Sequence, residues 1–139
     1  FRELVAPWTA HSNGRIEIAV VEGDHLEAIA ALGPARARIT ALTAPEAIAW
    51  LAWAGAVGGA HGRRRGAAAG RFGAWWTAAA ICGVIEEWPV APADLGALVR
   101  SVQWFWWDAY EPATGWQLQL AACDPAEGLS WAVSAQDFS

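Results

Sequence analysis

The chain has 139 residues, a formal net charge of −5 and a hydrophobic content of 55%. This length predicts a single domain, residues 1–139, because a domain usually takes about 100–200 residues. The apolar content excludes a disordered polar chain. The acidic charge argues against nucleic acid and anionic membrane surfaces as partners.

The first part of the chain predicts two strands and one helix. Residues 1–14 look irregular because they contain turn-forming residues. The Ile- and Val-rich segment Arg15–Glu22 predicts a strand that is buried on both faces. Asp24–Leu32 predicts a helix with an aspartate cap and a glutamate three residues later, and Ala35–Leu42 predicts the second strand.

Two consecutive helices are predicted next. The first runs from Thr43 to about Val57 and opens with a threonine cap, an early proline and a glutamate at the capping-box position. The second runs from about Gly62 to Cys82. Each carries a row of small residues at every fourth position, which predicts a tight helical hairpin. The row in the first helix is Ala44, Ile48, Ala52 and Ala56, in which Ile48 is the one large residue, and the row in the second is Gly62, Gly66, Gly70, Ala74, Ala78 and Cys82.

The C-terminal part predicts a strand meander. A loop at Glu86–Ala91 and a short helix at Pro92–Ser101 precede three strands, Val102–Asp108, Trp116–Ala122 and Leu129–Ala135. The predicted order is β-α-β-α-α-α-β-β-β. We therefore expect an α+β fold: one mixed sheet of about five strands, with the helical hairpin packed on one face and a C-terminal antiparallel meander.

The low-charge stretches and the cysteines bear on location. Neither Ala47–Ala60 nor Phe72–Ile85 reaches the roughly 20 residues that a membrane span needs. Cys82 and Cys123 are isolated, as is typical of small buried side chains in a reducing compartment, and a single disulfide between them stays open. The sequence therefore predicts a cytoplasmic protein that does not bind a membrane.

An arginine-rich run is the first candidate site. His61, Arg63, Arg64 and Arg65 lie at the start of the second predicted helix, and Arg71 follows two turns later. Cations are unfavourable at a helix N-terminus, so this placement favours a functional use. Free backbone N–H groups and guanidinium groups together bind anions such as phosphate or carboxylate. The alternative is that these arginines pair with carboxylates or contact another domain.

An aromatic run is the second candidate site, and it falls on the first strand of the meander. Alternation places Trp104 and Trp106 on one face and Phe105 and Trp107 on the other. One of these pairs should lie beside the glutamines and serines of the next two strands. An aromatic surface with amides nearby suits a flat ring, a sugar or a partner protein. The alternative is that helices cover both faces and all four rings belong to the core.

No cofactor and no metal site are predicted from residue spacing. The three histidines are scattered, and neither HxxxH nor HxH occurs. The remaining metal alternative is a site assembled in space from His11, His25, Asp24 and Cys123.

Three segments resemble a known family: HGRRRGAAAGRFGAWW, WFWWDAYEPATGW and DPAEGLSWAVSAQD. They are similar to segments of an uncharacterised family of bacterial proteins of unknown function. The resemblance covers most of residues 8–137. It implies no activity and no catalytic residues, and it implies that the chain is the C-terminal part of a longer protein.

Two functional hypotheses follow. The favoured one is a non-enzymatic interaction or structural domain, whose partner is its own N-terminal region or a second copy in a homo-oligomer. It accounts for the 11 tryptophans and the alanine-rich helices. The alternative is a binder of, or an enzyme acting on, a small anionic ligand such as a phosphate or nucleotide, through the arginine-rich run.

Overall fold

The computed structural model describes residues 1–10, 14–59, 64–111 and 115–137. Within them, five strands form one sheet in the order β1-β5-β4-β3-β2. The strands are β1 (Arg15–Glu22), β2 (Arg38–Leu42), β3 (Gln103–Asp108), β4 (Trp116–Asp124) and β5 (Leu129–Asp137). The helices are α1 (Ala6–Ala10), α2 (His25–Ala31), α3 (Ala44–Ala56), α4 (Ala67–Ile81) and α5 (Pro92–Ser101), with a 3₁₀ turn at Ile85–Glu87. The α+β class, the five strands and the C-terminal meander are confirmed.

The sheet is antiparallel throughout the described residues, which corrects the expected mixed pairing. A β-α-β start is typical of two neighbouring parallel strands. Here the meander lies between β1 and β2, so these two strands form opposite edges of the sheet. The prediction that β1 is buried on both faces is wrong for the same reason. As an edge strand, β1 leaves residues such as Glu17 and Val20 exposed.

The hydrophobic core lies mainly on one face of the sheet, where α1, α3, α4 and α5 pack. The sheet contributes alternate residues to it, among them Leu118, Leu120 and Val133. The opposite face carries α2 alone among the described helices, over a smaller cluster that includes Ile29 and Trp107. The expectation that the helices lie mainly on one face is therefore confirmed.

Helix α3 begins where the sequence predicts it. The backbone N–H of Glu46 donates to Thr43 Oγ1 at 3.3 Å, and the N–H of Thr43 donates to Glu46 Oε1 at 3.0 Å. This reciprocal capping box satisfies two backbone donors that have no partner inside the helix. Asp24 caps α2 through a single hydrogen bond, since its Oδ1 accepts from the N–H of Glu27 at 2.9 Å.

Helices α3 and α4 form the predicted hairpin, and their backbones come into contact. A Cβ built on Gly55 would lie 3.3 Å from the Cα of Gly70. A Cβ on Gly70 would clash with the carbonyl oxygen of Ala52 and lie 2.8 Å from the Cβ of Ala56. The predicted small rows of the two helices therefore face each other, and glycine is required at the crossing.

The predicted start of α4 at Gly62 is wrong, because the helix begins at Ala67. Gly66 has a φ of +90°, outside the helical region. The backbone N–H groups of Arg65 and Gly66 both donate to the carbonyl oxygen of Ala56, at 2.7 and 3.2 Å. This stretch therefore closes the end of α3 instead of extending α4, and the predicted ridge begins only at Gly70.

The N-terminal segment is more ordered than predicted. Residues 1–14 look irregular in sequence, yet they contain α1, and Leu4, Val5 and Trp8 are among the most deeply buried side chains. The Cδ1 of Leu4 lies so close to the hairpin that a Cβ on Gly55 or on Gly73 would meet it at 2.9 or 3.0 Å, respectively. Leu4 thus fills the space beside the crossing of α3 and α4.

Two Gly→Ala substitutions should change stability in opposite directions. Gly70→Ala is expected to lower the free energy of unfolding by about 1–3 kcal/mol, because it overpacks a backbone contact. Gly96→Ala is expected to raise it by about 0.5–1 kcal/mol, since alanine favours a helix interior. The new Cβ at position 96 would meet only Arg100, at 3.8 Å. Urea denaturation measures both, and equal effects would contradict the close crossing.

Candidate functional site

A polar cleft lies on the face of the sheet that carries α2. Its floor is formed by side chains from three adjacent strands, which the antiparallel register brings side by side. Glu17 of β1 lies beside Ser134 of β5, which lies beside Gln119 of β4. In the next row, Arg15 lies beside Gln136. All five point to the same face because they alternate with the core residues.

The walls of the polar cleft are more apolar than its floor. One wall is the loop that follows α2, where Gly33 with a φ of +89° and Pro34 end the helix. The other wall is the end of β3 and the residues after it. The wall residues are Leu32, Gly33, Pro34, Trp107, Ala109 and Glu111, and the cleft encloses about 240 Å³.

The charged groups of the polar cleft are not paired with one another. Arg15, Glu17 and Glu111 all line it. The one ion pair within 4.0 Å for which both partners are described residues lies elsewhere, between Arg38 and Asp108 at 2.7 Å. The cleft therefore offers one cation and two carboxylates beside neutral amides and a hydroxyl.

Gln119 is the buried polar group of this cleft. Its side chain is only 9% exposed, and its Nε2 donates to Ser134 Oγ over a long 3.4 Å. Its side-chain oxygen, Oε1, accepts no hydrogen bond from the described part of the chain. Oε1 is not a fully buried atom without a partner, so it is open to the cleft and can accept from a further partner.

The four candidate aromatic residues have different surroundings. Trp104 and Trp107 are buried, and their indole N–H groups donate to the carbonyl oxygens of Val99 and Leu120, at 3.0 and 3.2 Å. Trp106 is half-buried. Phe105 and Trp107 lie on the glutamine and serine face, and Trp107 lines the polar cleft. Ligand binding by this strand stays a prediction.

Phe105 is covered by a histidine of α2. The rings of His25 and Phe105 stack with centroids 3.6 Å apart and an angle of 8° between their planes. Burial lowers the pKa of His25, and the neighbouring carboxylate of Asp24 opposes that effect. The neutral imidazole of His25 therefore covers Phe105, the aromatic ring that shares this face with Trp107.

The arginine-rich run is only partly within the described residues. His61 and Arg63 lie outside them. Arg64 and Arg65 are exposed and precede α4, so they are not in its first turn. Arg71 lies within α4 and borders an apolar groove. Anion binding by these residues stays a prediction.

An apolar groove runs over the outer surface of the helices, and we call it the helical groove. It consists of two clefts of about 420 and 370 Å³ on either side of Trp75. Helix α5 borders both clefts. The first is lined by Arg71, Phe72, Trp75, Trp88, Pro89, Val90, Pro92 and Leu95, and the second by Ala44, Pro45, Ile48, Ala49, Ala52, Trp75, Gly96, Val99 and Arg100.

Further tryptophans connect the core to the surface. Trp53 makes edge-to-face contacts with Trp8, Trp50 and Trp116, with centroid distances of 5.9, 5.9 and 6.4 Å. Trp8 is fully buried, whereas Trp50 and Trp116 are exposed. Tryptophan side chains of this chain therefore lie both in the core and on the surface.

The cysteines and possible metal ligands do not form a reactive centre within the described ranges. Cys82 and Cys123 are both free thiols. Burial, and secondarily the carboxylate of Asp124, raises the pKa of the Cys82 thiol to about 11. Such a thiol is protonated and unreactive near neutral pH. No three His, Cys, Asp or Glu side chains gather as a metal site among the residues that the structure describes, and His11 of the proposed set lies outside them.

Several cleft residues were not predicted as a site. Alternation in the sequence indicates that the glutamines of β4 and the serines of β5 share a polar face. Arg15 and Glu17 give no such signal, because their position beside Ser134 depends on the pairing of β1 with β5. The helical groove was also missed, since Phe72 and Trp75 occur in a stretch that reads as a buried helix.

These features define an α+β domain with a polar cleft on one face of its sheet and an apolar groove over the helices on the other. The chain belongs to a family described as a family of unknown function (DUF6183), whose model matches residues 1–138. Comparisons with curated proteins and with solved structures returned no match. Among the described residues, no helix combines the length and the apolar content needed to cross a membrane.

The raised pKa of Cys82 should make stability depend on pH. An unfolded thiol ionises at about pH 8.5, whereas the folded Cys82 has a pKa of about 11. The stabilising contribution is therefore complete below about pH 8.5 and is lost as the pH rises towards about 11. Urea denaturation across this range should show a steeper loss in the unmodified chain than in Cys82→Ala. Parallel losses would contradict the shift.

Proposed function

We propose that this chain is a protein-interaction domain that pairs with a second copy of itself through the helical groove. The observation that carries the proposal is the exposure of Phe72 beside the half-buried rings of Trp75 and Trp88. Phe72 is 60% exposed and lies beside a cleft of about 420 Å³. Contiguous apolar surface of this kind marks interaction sites on proteins that are otherwise polar outside.

The shape of the surface supports a second copy as the partner. A symmetric dimer uses the same patch on both subunits, so that patch must be complementary to itself. Phe72 projects from α4 next to the groove. Its ring makes an edge-to-face contact with Trp88, with the two ring centroids 5.6 Å apart. One copy can therefore place its Phe72 in the groove of the other, and receive the same ring in return.

The residue types support an interface as well. Aromatic residues and arginine are enriched at the centres of interfaces, where they account for much of the binding energy. The helical groove contains Phe72, Trp75 and Trp88, with Arg71 and Arg100 in its lining. No carboxylate lines either cleft among the described residues, so burying this surface leaves no acidic group without a partner.

Sedimentation equilibrium of the full chain tests this proposal. We expect a monomer–dimer equilibrium in the micromolar range, and we expect Phe72→Glu to weaken it at least about tenfold, which is about 1.4 kcal/mol. Leu26→Glu is the matched control, because Leu26 is 53% exposed on α2, on the other face of the sheet. A chain that stays monomeric, or two variants with equal effects, would contradict the groove as the interface.

A further inference from the structure

We infer that the polar cleft binds a small basic amino acid, a molecule with one carboxylate and two cationic groups. This role is separate from self-association, since the cleft and the helical groove lie on opposite faces of the sheet. It also differs from an anion site, because the cleft contains more carboxylates than cations.

The charges of the cleft define the charges of the ligand. Arg15 supplies one cation, while Glu17 and Glu111 supply two carboxylates. The formal sum is −1, and a basic amino acid with a net charge of +1 complements it. Arg15 can donate two hydrogen bonds to the ligand carboxylate in a bidentate contact. Glu17 lies two residues further along the same face of β1 and can bind the α-ammonium group.

The second carboxylate lies on the other side of the cleft. Glu17 is on β1, whereas Glu111 follows β3, and the two strands are separated by β5 and β4. Neighbouring strands are about 4.8 Å apart, so β1 and β3 are roughly 14 Å apart. The side chains of Glu17 and Glu111 shorten the distance between their two carboxylates. A flexible aliphatic stem with a terminal cation suits this distance, because it carries the second charge towards Glu111.

The floor and walls fit the rest of such a molecule. Gln119 is nine-tenths buried, and its side-chain Oε1 is available to accept from an ammonium group. Ser134 and Gln136 add a hydroxyl and a second amide. Leu32, Pro34 and Trp107 provide apolar wall for the aliphatic stem. The volume of about 240 Å³ is below the ~300–1,000 Å³ typical of drug-sized ligands, which favours a ligand of amino-acid size.

Isothermal titration calorimetry of the full chain with L-lysine tests the inference. Two ligand analogues each remove one charge: norleucine lacks the terminal amine, and lysine methyl ester lacks the carboxylate. We expect lysine to bind with a dissociation constant below about 1 mM, and both analogues to bind at least about tenfold more weakly. No heat with lysine, or equal binding of either analogue, would overturn the inference.

Two variants assign the contacts. Arg15→Gln should weaken lysine binding but leave the methyl ester unaffected, because the ester has no carboxylate for the guanidinium to bind. Glu111→Gln should weaken lysine binding but leave norleucine unaffected. A variant that affects lysine binding but not analogue binding shows that the removed side-chain charge and the removed ligand charge contact each other. Equal losses for ligand and analogue would overturn the assignment.

Glu127→Gln is the matched control, since Glu127 is an exposed carboxylate in the turn between β4 and β5 and does not line the cleft. It should bind lysine as the unmodified chain does. Thermal denaturation of each variant establishes that it is folded. A loss of binding in Glu127→Gln equal to that in Glu111→Gln would show a general charge effect and overturn the site.

Discussion

The contact between the backbones of α3 and α4 controls how the helical side of this domain is built. Where Gly55 meets Gly70 there is no space for a side chain between the helices. The large residues of both helices must therefore lie elsewhere. Leu4 occupies the space beside the crossing, and bulky rings such as Phe72 and Trp75 lie on or near the outer surface. The same constraint that makes the hairpin tight thus leaves an apolar groove on its outside.

A second close approach shapes the other face of the sheet. Ala19, Ala132 and Ala121 form a row across β1, β5 and β4, and the two buried alanines of this row belong to the cluster under α2. Small side chains let a short helix lie close to the sheet. Because α2 has only seven residues, it covers this row and stops at Gly33. The rows beyond it, which hold Gln119 and Ser134, form the floor of the polar cleft.

Local signals in the sequence predicted most helices and strands. The features that the sequence analysis missed depend on contacts between residues that are distant in the chain. The capping box of Thr43 and the small row around Gly70 are each determined by residues close in sequence or by a simple helical period. The start of α4 depends instead on the carbonyl oxygen of Ala56, which accepts from Arg65 and Gly66. The edge position of β1 depends on strands at the far end of the chain. For the site, alternation identified the polar face at Gln119, but not the charged side chains that β1 adds to it.

The arrangement of the sheet edges has a consequence for synthesis on the ribosome. Strand β1 hydrogen-bonds to β5, which ends at Asp137, and β2 hydrogen-bonds to β3. Strand β1 precedes the other four strands of the sheet in the chain, yet its backbone groups pair only with β5, the strand of the sheet that is made after the other four. Loop closure over most of a chain slows folding, and unpaired strand edges are open to wrong partners in the meantime. The helical hairpin has no such delay, since α3 and α4 are adjacent in sequence. A nascent chain is thus expected to form its helices first and to complete its sheet only after β5 has left the ribosome.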